Sequence, residues 1–178
     1  MRIVIIGNSG SGKTQLAGAL AECLDSTVIH LDHVYWEPGG FDRKRCAEEV
    51  ERLIAESVNT PDWIAEGVFG ELAGRYLEFA DVLVWLDVDW DLCKARLERR
   101  GSESKKHLGR PQSEEGLRKL IEWASMYYDR DDMRSRSGHK RLHDEFKGIR
   151  HRYTTPDDVE LLIKAAQEGG AVEALTRQ

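Results

Sequence analysis

The opening segment confines this chain to few architectures. A short apolar, β-branched run, RIVII (residues 2–6), leads directly into GNSGSGKT (7–14). After it, Leu16, Ala19, Leu20, Cys23 and Leu24 recur at helical spacing. A turn from strand to helix needs one or two glycines, whereas this one carries Gly7, Gly10 and Gly12, then Lys13 and Thr14, at the spacing G-x-x-x-x-G-K-T. Glycines let the backbone curl so that successive N–H groups point inward and form a nest for anions. The following helix presents its positive N-terminal end to the same place. Lys13 adds a point charge suited to β- and γ-phosphates, and the Thr14 hydroxyl a ligand for Mg²⁺. Gly7, Asn8, Ser9, Gly10, Ser11, Gly12, Lys13 and Thr14 are therefore candidate nucleotide-binding residues.

At 178 residues the chain is expected to form one domain, 1–178, with a full core. No apolar run reaches membrane-spanning length, and RIVII is too short for a secretory signal. Cys23, Cys46 and Cys93 lie far apart with no C-x-x-C, which predicts reduced thiols, a cytoplasmic setting and no metal site built from them. The net charge of −6 argues against a general nucleic-acid binder. Positive charge is nonetheless concentrated: residues 94–110 hold seven Lys/Arg against Glu98 and Glu103, and residues 130–152 hold eight against four acids. These are either solvated helical faces or arginines that close over phosphates.

Strand and helix patterns then alternate. STVIHLD (26–32), DWIAEG (62–67), DVLVWLDV (81–88) and GIRHRYT (148–154) read as strands two to five. Helices are expected over Arg43–Val58, 70–80, Asp89–Arg100, Glu114–Tyr128 and from Thr155-Pro156 onward. GSESKKHLGRPQS (101–113) breaks periodicity and reads as a short basic lid. DRDDMRSRSGHKR (129–141) reads as partly helical, and EGGAVEALTRQ (168–178) as a frayed tail. Such alternation predicts an α/β fold, a parallel sheet covered on both faces. Ligands then sit beyond the carboxyl ends of the strands, where Gly7–Thr14, Asp32, Glu66 and Asp87 would gather.

Asp32 there could orient or deprotonate an acceptor hydroxyl, or cap the next loop. His30, two residues earlier on the strand, would share its face and either line the pocket or pack. Glu66 needs a positive or polar partner if buried, and Mg²⁺ reached through water would be one. Gly67 would let a substrate approach the backbone. Asp87 or Asp89 reads as the cap of the helix that follows. Arg75 faces either solvent or the acceptor. Arg96, Arg99, Arg100 and Arg110, with Arg130, Arg134 and Arg136, are candidates for bidentate phosphate contacts. Tyr35, Trp36 and Phe69 could stack on an acceptor ring or simply pack, and Trp63, Trp85 and Trp123 read as core.

With GNSGSGKT, the HLD and EG strand ends and a short basic lid in that order, the chain resembles the small P-loop kinases of the nucleotide and shikimate kinase group. VIHLDHVYWEPG, WIAEGVFGELAGRYLEFADVLVWLD and LCKARLERR look most like the adenylate kinase-related topology-modulation proteins, over roughly residues 1–165. The resemblance implies a P-loop NTPase fold, three-layer α/β/α, with a five-stranded parallel sheet of order 2-3-1-4-5. It implies ATP as donor and Mg²⁺ as cofactor. By position, Gly10, Gly12, Lys13 and Thr14 would hold phosphate and metal, Asp32 would address the acceptor, and Arg96, Arg99 or Arg100 would belong to the lid. The chain departs from the group where Glu66-Gly67 is followed by Val68, Phe69 and Gly70 with no arginine, and where Asp32 is followed by His33 and Val34.

The expectation is ATP-dependent, Mg²⁺-assisted phosphoryl transfer to a nucleotide, nucleoside or hydroxylated metabolite by a monomer or dimer. Lys13, Asp32, Arg96 and Arg100 would be catalytic, and Arg99 and Arg110 would add to the nucleotide site. Asp32, Trp36, Glu66, Gly67, Arg75 and Arg134 would meet the acceptor, with Thr14 and Glu66 at the metal. The rival readings are a nucleotide-binding regulatory or DNA-topology-modulating protein and an NTPase without a specific acceptor.

Overall fold

Runs that can bury both faces become central strands, and runs that cannot become edges. A computed structural model describes residues 1–38, 43–101 and 113–176. It contains one five-stranded sheet of order β2-β3-β1-β4-β5, with β1 Arg2–Gly7, β2 Thr27–His30, β3 Trp63–Gly67, β4 Val82–Leu86 and β5 Ile149–Tyr153. All four pairings are parallel. β3 and β4 are buried along their whole length and β1 along all but its first residue. β5, IRHRY, alternates half-buried and exposed positions, and its arginines take the exposed ones. Charges on an edge strand keep it from pairing with another chain.

Strand alternation divides the core in two. Ile3, Ile5, Val82, Val84 and Leu86 face α1 (Lys13–Leu24), α8 (Pro156–Ala165) and α9 (Ala171–Thr176). Val4, Ile6, Leu83 and Trp85 face α2 (Leu31–Tyr35), α3 (Ala47–Val58) and α4 (Gly70–Leu77). The result is a three-layer α/β/α fold. α5 (Trp90–Arg100), α6 (Glu114–Ser125) and α7 (Arg136–Glu145) complete the helices among the described residues, none of which is long and apolar enough to cross a membrane.

Several boundaries differ from the sequence reading. The second strand stops at His30, and residues 31–35 turn into helix, so Asp32 lies on α2 and not on the strand beside His30. The third helix begins at Ala47 rather than Arg43, because residues 43–45 pair back on 35–37: the Glu37 N–H donates to Arg43 O at 2.9 Å and the Arg45 N–H to Tyr35 O at 3.0 Å. Asp89, not Asp87, caps α5 by accepting the Asp91 N–H. Trp123 is half-buried rather than core. The expected frayed tail is folded over residues 168–176. A wide helical turn kinked at Gly169 (φ 88°) leads into α9, and Ala171 and Leu175 are buried against α1 and the sheet. The lid expected over 101–113 lies almost wholly outside the described residues.

Candidate nucleotide site

The sheet register brings the functional segments to one level. Gly7 pairs with Leu86, Ile6 with Gly67, and His30 with Glu66. The loop after β1 therefore starts beside the ends of β2, β3 and β4. Gly10 has φ 83°, and a Cβ there would lie 2.4 Å from Cys93 O of α5. Gly12, at φ 104°, is the N-cap of α1. Both need glycine, one for contact with α5 and one for the turn into the helix.

The loop is held from three sides. Asn8 is almost wholly buried, accepts the Ser9 N–H at 2.8 Å and donates to Ala124 O of α6 at 3.0 Å. Arg96 of α5 donates to Ser11 O at 2.9 Å. The Lys13 ammonium is folded back over the loop and donates to Asn8 O at 2.9 Å. The Ser11 hydroxyl is buried and has no hydrogen-bond partner among the described residues.

Thr14, in the first turn of α1, donates to Glu66 Oε1 at 3.0 Å. His30 Nδ1 reaches the same oxygen at 2.7 Å. Burial alone would raise the Glu66 carboxyl. The hydrogen bond from His30, the charges of Lys13 and His30 and the Thr14 hydroxyl outweigh it and hold Glu66 below the usual carboxylate range. An ionised Glu66 only accepts, so His30 carries its proton on Nδ1 and donates. The same hydrogen bond raises the imidazole above 6.5 against its own burial, and the charges of Glu66 and Asp32 add to it.

These residues fit a magnesium–nucleotide complex. Mg²⁺ is usually held by one or two oxygen ligands of the protein together with substrate phosphates and water. Thr14 Oγ1 and Glu66 are hard oxygen donors, and the orphaned Ser11 hydroxyl lies in the adjoining cradle. No group of three or more His, Cys, Asp or Glu among the described residues forms a cation cage of its own.

Beyond β3 the chain builds an aromatic wall. Tyr35 stacks on Phe69 with centroids 4.4 Å apart, and Trp36 meets Tyr35 edge-on at 4.7 Å. The Arg134 guanidinium lies 4.5 Å from both the Tyr35 and Phe69 rings and is paired with Glu71. Arg130 lies 3.9 Å over the ring of Trp123 and donates to Arg134 O. Glu71, Trp123, Arg130, Asp132, Met133 and Arg134 line a cavity of about 460 Å³. Trp123 has no motif around it, and its place in this cavity could not be read from spacing.

The other candidates fall elsewhere. Gly67 is needed by the protein itself, since a Cβ there would lie 2.7 Å from the Leu31 Cβ. Arg75 does not turn to the strand ends. Its guanidinium grips Glu51 of α3 at 2.5 and 2.6 Å on the surface. Arg136 and Arg152 both clamp the buried Asp87, at 2.9 Å and 2.5–3.0 Å, with Trp85 beneath them. Asp87 is thus the hub of an ion cluster and not a helix cap. Arg99 and Arg100 are exposed on the last turn of α5. Arg110 lies outside the described residues.

Sequence reasoning missed His139. It is fully buried, with Nε2 3.1 Å from Val68 O and Nδ1 2.7 Å from the Tyr127 hydroxyl. A carbonyl can only accept, so Nε2 carries the proton, Tyr127 donates to Nδ1, and Trp85 Nε1–H donates to Tyr127 at 3.2 Å. Burial drives the His139 pKa down to about 3. This neutral, satisfied chain fixes the backbone just after Glu66-Gly67.

Comparisons with known proteins follow the same lines. No known family profile matches the chain. It is 28% identical over 142 residues to an uncharacterized protein, YqaC, of Bacillus subtilis (strain 168), covering 78% of this chain and 79% of that one. Among solved structures, a shikimate kinase from Bacteroides thetaiotaomicron superposes with a TM-score of 0.54 at 18% identity, over 94% of this chain and 97% of that one. A gluconokinase from Sinorhizobium meliloti 1021 superposes with a TM-score of 0.52 at 16% identity, over 97% and 92%. The chain has the fold of the small P-loop kinases of the nucleotide and shikimate kinase group.

Proposed function

We propose that this chain is a phosphotransferase that uses ATP with Mg²⁺ to phosphorylate a small molecule: a nucleotide, a nucleoside or a hydroxylated metabolite. The observation that carries this reading is the meeting of Lys13, Thr14, Glu66 and His30 around a glycine cradle at the carboxyl ends of parallel strands. The loop amides and the N-terminus of α1 would bind the triphosphate. Lys13 would exchange Asn8 O for a phosphate oxygen, its side chain already lying over the loop. Bound Mg²⁺ would neutralise charge on the β- and γ-phosphates. Thr14 and Glu66 would hold that end of the nucleotide, and Arg96 would keep the loop in shape through Ser11 O. Asp32 would take the acceptor's hydroxyl proton or orient it. The wall of Tyr35, Trp36 and Phe69 with Arg134 would bind the acceptor, and Arg99, Arg100 and Arg110 would close over phosphate. Free Cys23 and Cys46 on the surface are in keeping with a cytoplasmic enzyme.

The test is calorimetry of ATP with and without Mg²⁺, followed by a screen of nucleosides, nucleotides and small alcohols for ADP release. Acceptor-stimulated ADP release is the expected result. No heat of ATP uptake by folded protein would overturn the reading. ATP loss that no acceptor accelerates would reduce it to an NTPase.

A further inference from the structure

Glu66 Oε1 receives two donors, and the two do different things. Thr14 spends its hydroxyl proton on the carboxylate, at 3.0 Å. Its oxygen then keeps both lone pairs for another partner, which is what a cation ligand requires. Were the carboxylate to rotate away, the hydroxyl hydrogen could turn toward the cradle and repel a cation. His30, from the neighbouring strand, opposes that rotation: its Nδ1 lies 2.7 Å from the same oxygen and donates to it. Glu66 is buried near the end of β3 while His30 is one-fifth exposed, so the histidine reaches the carboxylate from the more exposed strand.

We propose that His30 is a positioning residue for the metal-facing end of the nucleotide site, orienting Glu66 so that Glu66 takes the Thr14 hydroxyl proton and leaves the threonine oxygen turned toward the cation. This rests on the function proposed above. It assigns to His30 a role distinct from pocket lining and from packing. Partners that orient metal ligands from behind commonly change metal affinity without touching the metal. The three atoms come from α1, β2 and β3, so the arrangement exists only because the sheet sets β2 beside β3.

The experiment measures, by calorimetry, the affinity of the whole protein for ATP with and without Mg²⁺. His30→Leu should weaken uptake of Mg²⁺·ATP by about 10-fold or more and change metal-free ATP by less than about twofold. His30→Asn, which keeps an N–H donor, should recover much of that loss. A thermal melt reports whether each variant folds. Should His30→Leu not fold, the Asn variant decides alone, with its Mg²⁺·ATP affinity expected within a few-fold of the parent and that of a paired Thr14→Val variant expected well below it. Equal loss of Mg²⁺·ATP and metal-free ATP would overturn the inference, as would no loss in His30→Leu or no recovery in His30→Asn. These results leave the kinase reading standing. Absence of ATP uptake by the parent protein would instead remove that reading and this inference with it.

Discussion

Asn8 shows how much a single side chain can carry inside a glycine-rich loop. It is buried, caps its own turn through the Ser9 N–H and ties the loop to α6 at Ala124. Asn8→Ala strands the Ala124 carbonyl and the Ser9 amide. It should lower stability by about 1–3 kcal/mol in urea melts, the usual penalty for stranded buried groups. Lys13 belongs to the other class of residue. Its ammonium donates to Asn8 O, and in the proposed function its charge would serve the phosphates. Lys13→Ala should cut ADP release by about 100-fold or more with circular dichroism unchanged. Turnover equal to the parent in a folded variant would refute the phosphotransfer reading.

At the scale of elements, α7 and the turn over 126–128 are joined to β3 and β4 by the chain Trp85–Tyr127–His139–Val68. His139 is neutral in the folded protein, with a pKa near 3, and titrates near its ordinary 6.5 when unfolded. The unfolded state therefore binds the extra proton first, and stability falls as pH drops below about 6.5, at about 1.4 kcal/mol per pH unit from this group. His30 acts with the opposite sign. Its folded pKa is raised above 6.5, so its contribution is full below 6.5 and is lost as pH rises through the folded value. Urea melts between about pH 5 and 8, above the carboxylate range, should separate the two. His139→Gln should flatten the acid limb, and His30→Asn the loss of stability as pH rises above 6.5. An acid limb unchanged in His139→Gln would show that the buried chain does not govern it.

At the scale of the whole molecule, the C-terminal segment closes one face of the sheet. Leu175 is fully buried against the α1 side of the core, while Val172 of the same helix is 51% exposed. Leu175→Ala should cost about 2–5 kcal/mol and Val172→Ala well under 1 kcal/mol, both measured by denaturant unfolding. Equal effects would mean that α9 does not belong to the core. The tail read as frayed because its glycines, Gly169 and Gly170, and its short length hide a period of 3.6 residues. The contact of His151 Nε2 with Leu175 O at 2.9 Å, which anchors it, joins residues far apart in sequence. Strands β1, β3 and β4 and the phosphate loop were legible for the opposite reason. Their signals are apolar runs and glycine spacing, which are complete within a dozen residues. Asp32 lies on the helical turn 31–35, whose Leu31 packs against Gly67, and that contact is not written in STVIHLD.

The amino-acid order alone pointed to a glycine cradle between a buried strand and a helix, and to a strand–helix alternation that predicts a parallel sheet covered on both faces, because backbone conformation and hydrophobic period are local properties. Which polar and charged groups meet was decided by the tertiary structure. Thr14 and Glu66 are 52 residues apart, Arg136 and Asp87 are 49 apart, and Arg152 and Asp87 are 65 apart. Charged side chains are interchangeable in composition and become specific when a sheet order sets their strand ends side by side, where burial makes an unpaired charge too costly to keep.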